Sequence, residues 1–176
     1  MKLTKYNTPQ IALHWLTATV IMFLLVTGSL VLANIENSEP SKVDNLRIHM
    51  LLGSFVFMLT LTRIFWRKKS PQPDHLTTGK PTLDKMGVAA HYALNLLTLL
   101  IAVSGVSLAL FSGLFEVVFL GQGTIPEDFF AFVPRYVHGI STKIMMALIA
   151  LHVIGGLYHA FIIKDSIFKR MWFGKA

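Results

Sequence analysis

Histidine carries most of the chemistry this chain offers. Six of its seven histidines, His14, His49, His91, His138, His152 and His159, lie in or at the edge of long apolar blocks. An ionisable or metal-binding side chain in such a place is costly and marks function. His138 and His152 are fourteen residues apart. On a helix that spacing is a rise of about 21 Å with a net rotation of about 40°, so both use one face. Two ligands stacked on one face suit two cofactors held one above the other. The segment LHVIGGLYHA adds His159, seven residues beyond His152. It lies about 10 Å further along and on nearly the same face.

The chain has no cysteine, which excludes disulfides, iron–sulfur clusters, thiolate metal sites and thioether-linked haem. A transition metal would therefore be held by histidine or carboxylate. None of the nine carboxylates lies well inside an apolar block, so histidine remains.

The elements that position these histidines are membrane spans. Of 176 residues, 53% are hydrophobic and 14% charged, with mean hydropathy +0.59, far from the quarter charged residues of a soluble domain. Four apolar blocks of bilayer length predict an all-α integral membrane four-helix bundle, one domain over residues 1–176. The spans are expected at about 11–33, 46–66, 86–111 and 136–163. The run GLFEVVFLG is too short to span and reads as an interfacial turn or a re-entrant piece. Lys2 and Lys5 precede the first span with no small-residue cleavage site after it, so a retained helix is expected.

Basic residues cluster at one side of the spans. Arg67, Lys68, Lys69, Lys80 and Lys85 lie between spans two and three, and Lys164, Lys169, Arg170 and Lys175 in the tail. The positive-inside rule then puts both termini in the cytoplasm of a multi-pass protein of a bacterial inner membrane. The formal charge of +7 reports this topology and not nucleic-acid binding.

Topology gives each histidine a depth. His49 and His138 match near the outer face, while His14, His91, His152 and His159 lie towards the inner one. Two bis-histidine haems would fill the core of such a bundle. By depth alone, His14 could reach His152 or His159, or face His91. Gly28, Gly53, Gly105, Gly139, Gly155 and Gly156 would let a flat macrocycle approach the backbone, or let helices pack closely.

The stretches IALHWL, NLRIHMLLG, AAHYALNLL, RYVHG and LHVIGGLYHAFIIKD, in this order and over essentially the whole chain, resemble the bacterial cytochrome b561 family. The pattern is most similar to its superoxide oxidase subgroup. That resemblance implies two haem b groups, with His14 and His152 as inner ligands and His49 and His138 as outer ones. It implies a superoxide:ubiquinone oxidoreductase, in which electrons from periplasmic superoxide reduce ubiquinone. His159, His91 and Trp15 are then candidates for the quinone side, although His152 and His159 could exchange roles. Arg47, Arg135 and Lys143 lie within five residues of an outer ligand and would neutralise haem propionates or steer superoxide. The outer side as a whole has four basic and six acidic residues, which opposes such steering. No obligatory protein partner is evident. The alternative is a cytochrome b subunit relaying electrons between the quinone pool and a separate redox protein. A histidine-based transporter would be expected to show broken spans or repeats, and neither is apparent.

Overall fold

The computed structural model describes residues 3–174; Lys2 and Lys175 lie outside them. Four long helices run up and down: α1 (Thr8–Leu30), α2 (Ser41–Lys69), α3 (Pro81–Phe111) and α4 (Val133–Tyr158). The last continues through a π turn, His159–Ile163, and a short α5 (Ile167–Arg170) follows. Each long helix is long and apolar enough to cross a membrane, and no strand occurs among the described residues. The helices begin and end in polar turns that hydropathy does not see. Asn7 and Gln10 close a capping box at α1, and prolines open α3 and α4.

The bundle is apolar outside and buries small polar side chains among apolar ones. Leu51, Phe65, Leu96, Phe111, Phe161 and Ile162 are exposed. In water such a surface would be a liability; against lipid it is the solvent-matched face. Thr17, Thr60 and Thr98 are buried. Their hydroxyls donate to the carbonyls of Leu13, Val56 and Leu94, at 2.6, 2.8 and 2.8 Å, so small polar side chains line the helix interfaces without unpaired groups.

The two ends of the bundle are tied differently. At the end away from the termini, the buried Lys42 ammonium donates to the carbonyls of Leu32 and Ile35, both at 2.7 Å, capping the end of α1. There the run after Ser112 forms a π turn, Glu116–Leu120, that packs Leu114 and Val118 on Leu46 and Ala109. At the other end the C-terminal segment straps the bundle. Trp15 Nε1 donates to the Met171 carbonyl (2.6 Å), Lys5 Nζ to the Gly174 carbonyl (2.7 Å), and Arg170 Nη1 to the Asp74 carbonyl (2.5 Å).

Candidate cofactor site

Six of the seven histidines converge on the bundle interior in pairs or with a nearby acid. His49 of α2 faces His138 of α4, ring centres 6.1 Å apart. His14 of α1 faces His152 of α4 at 6.4 Å. Two imidazoles bridged by an iron about 2.0 Å from each ligating nitrogen have ring centres roughly 6.2–6.4 Å apart. Both pairs match that gap. His91 of α3 also reaches His152, at 5.1 Å, closer than two imidazoles on opposite sides of one iron would stand. His159 is engaged elsewhere: its Nδ1 bonds Asp165 Oδ2 at 2.5 Å.

Orientation of the rings supports the same reading. Nδ1 of His138 donates to the Ile101 carbonyl at 3.0 Å and lies 3.3 Å from Ser104 Oγ, leaving Nε2 as the lone-pair nitrogen. Nδ1 of His14 and of His49 is buried without a hydrogen-bond partner among the described residues. Among those residues no three of His, Cys, Asp and Glu cluster as a site for a bare metal ion. A tetrapyrrole, which brings its own four nitrogens, is the group that two facing histidines fit.

The pairs belong to two layers with one register. His138 and His152 are fourteen residues apart, and so are His49 and Arg63, Gly28 and His14, and Gly105 and His91. Each helix therefore contributes one residue to each layer on nearly one face. In the layer away from the termini, Gly28 and Gly105 stand against the two imidazoles. A Cβ at Gly28 would lie 3.3 Å from His49 Cε1, and one at Gly105 3.2 Å from His138 Cε1. These glycines thus make room for the imidazole rings. Gly53 and Gly155 meet nothing within 4 Å, and Gly139 lies beneath Arg135. Gly105→Ala is expected to push the His138 ring aside at about 1–3 kcal/mol and lower retention of the group between His49 and His138 several-fold. The haem-to-protein ratio measures this, with Gly53→Ala as the unaffected control.

In the other layer the glycine positions are taken by His14 and His91, and Arg63 stands where the first layer has His49. Arg63 is the residue that reading the sequence missed, although its spacing from His49 was there to be seen. By register it belongs to the layer of His14, His91 and His152.

The remaining candidate residues are occupied in other ways. Trp15 packs edge-on against His14 (5.3 Å) and Trp172 (5.8 Å) while it holds the C-terminal strap. Arg47 is bound to Asp44 (2.6 Å) and, through Nε and Nη2, to the Val118 carbonyl (3.1 and 2.9 Å). Arg135 lies over the Phe130 ring at 4.9 Å. Lys143 is exposed, five residues and so about 140° around α4 from His138.

A membrane four-helix bundle with facing histidine pairs is the architecture of a b-type cytochrome. The chain belongs to the prokaryotic cytochrome b561 family, whose profile matches residues 5–174. Cytochrome b562 of Cereibacter sphaeroides is 29% identical to it, with 94% of each chain covered. Cytochrome b561 homolog 2 of Escherichia coli K12 is 27% identical over 95% of this chain and 90% of that one. A probable superoxide oxidase, CybB, of Yersinia pestis is 22% identical, with 95% of each covered. This is therefore a bacterial membrane electron-transfer protein, and its family implies haem b.

Proposed function

We propose that the chain, acting as one unit over residues 1–176, binds two haem b groups, transfers electrons from periplasmic superoxide and reduces ubiquinone. His49 and His138 hold the outer haem, and His14 and His152 the inner one. The observation that carries this reading is the pair of histidine couples with iron-sized gaps, 6.1 and 6.4 Å, stacked on one face of α4. Each haem, when bound, would supply a one-electron couple at a centre held by two imidazoles. Such a centre favours outer-sphere transfer over binding of dioxygen.

The protein's own residues do the rest. Both termini lie in the cytoplasm of a bacterial inner membrane. Lys5, Arg67, Lys68, Lys69, Lys80, Lys85, Lys164, Lys169 and Arg170 all lie at that end of the spans. His159, held by Asp165, donates a proton to ubiquinone, with His91 and Trp15 on the same side. Arg47, Arg135 and Lys143 provide positive charge beside the outer pair for haem propionates or superoxide. Superoxide oxidation itself is supported by the resemblance to the Yersinia pestis protein.

A second reading, a relay subunit serving a separate redox protein, is favoured by the ties of Arg47. Its guanidinium is already committed to Asp44 and Val118, which weakens steering of an anion. One assay separates the two. Purified protein given a superoxide flux and excess ubiquinone should consume two superoxide ions per ubiquinol formed, without any partner. Intact low-spin haem with no turnover would sink the oxidase reading and favour the relay.

A further inference from the structure

Arg63 presents an unmet electrostatic need. It lies on the same stripe of α2 as the buried Val56, Leu59 and Thr60, at helical spacings of seven, four and three. Six residues separate it from the end of α2, and six separate His14 from the start of α1, so both stand about 9 Å inside the helical ends. It is half-buried, and no ion pair reaches it among the described residues. The acids cannot supply one at that depth: Asp44 and Asp84 sit in the first turns of α2 and α3, and the other seven lie outside the four long helices. A guanidinium within a membrane span requires an anion or a water-filled route, and its planar fork matches a carboxylate in bidentate fashion. The layer to which it belongs is the one containing the His14–His152 pair.

We infer that Arg63 holds a carboxylate of the haem bound between His14 and His152. This rests on the reading of that pair as a ligand set. In the register of fourteen the outer layer has His49 where the inner layer has Arg63, so this guanidinium belongs to the inner site alone. Arg63 thus makes the inner site selective for a porphyrin bearing free acid groups and sets which edge of it faces α2. It acts as a cofactor-binding residue and takes no part in the transfer of electrons.

The test uses the holoprotein with Arg63→Met and Arg63→Lys. On dilution into a haem-scavenging protein, Arg63→Met should lose the inner haem on the order of tenfold faster than the unaltered chain, the scale of one charge-assisted bond. Arg63→Lys should lose it only slightly faster, and the outer haem should be unaffected in both. Redox-difference infrared spectra with the haem carboxylates labelled in carbon-13 give a second measurement, which needs only the unaltered protein and the lysine variant. A labelled carboxylate band that moves in Arg63→Lys supports the pairing. Unchanged bands, or unchanged haem loss in an assembled Arg63→Met protein, overturn it and leave the cation to a lipid phosphate. His152→Ala separates the two levels of inference. If it retains both haems, the ligand reading fails; if it loses the inner haem while Arg63→Met does not, only the role of Arg63 fails.

Discussion

Substitution of His138 by alanine is expected to remove one haem and spare the other, reducing haem absorbance per protein by about half. His138 is the better held member of the outer pair. The Ile101 carbonyl fixes its Nδ1, Ser104 stands beside it, and Gly105 leaves space for the ring. With the imidazole gone, His49 alone would face the cofactor, its Nδ1 buried without a partner among the described residues. Held by His49 alone, in a site built around two imidazoles, the outer haem should be lost on purification. The inner pair lies fourteen residues along α4, and its other member comes from α1, so it shares no side chain with the outer site. Spectral and pyridine-haemochrome titration of His138→Ala and His49→Ala should give the same single-haem protein. If both variants kept two low-spin haems, the ligand assignment would be wrong.

The layered arrangement explains which features could be read from the sequence. The four spans and the inward direction of His138 and His152 follow from block length and helical phase, which are properties of single segments. The gaps between rings are a property of two helices. Depth left His14 with three possible partners; in the structure its ring centre lies 6.4 Å from that of His152, His91 lies 5.1 Å from His152, and His159 is turned to Asp165, which supports the proposal of His152. Arg63 was hidden for another reason. A basic residue near the inner end of a span reads as an interfacial anchor. Only comparison across all four helices reveals the common spacing of fourteen. The engagement of Arg47 was also beyond local pattern, because its acceptor lies in the π turn 116–120, seventy-one residues away.

The contact between His159 and Asp165 is the last feature that periodicity could not supply, and it leads to the second large effect. Ordinary helical geometry would carry Asp165 away from His159. Here α4 widens into a π turn, and Lys164 takes a left-handed conformation (φ 58°), reversing the chain. The Asp165 amide then donates to the His159 carbonyl (3.2 Å), and its carboxylate receives His159 Nδ1. Asp165 is itself braced by the Ile167 amide at 2.9 Å. Both side chains are only 16% exposed. With Nδ1 committed, Nε2 is the nitrogen left to meet a quinone oxygen, which is the geometry of an oriented proton donor. His159→Ala is therefore expected to retain both haems and normal reduction by superoxide, yet slow ubiquinone reduction by about 100-fold, the lower end of the range for a general acid. Asp165→Asn keeps an acceptor oxygen but removes the charge, so a smaller loss, on the order of tenfold, is expected. Stopped-flow measurement of the two half-reactions distinguishes the steps. Loss of a haem in His159→Ala would show that His159, not His152, holds the inner iron. Two haems with an unaltered ubiquinone rate would place the proton donor on another residue, with His91 the next to test.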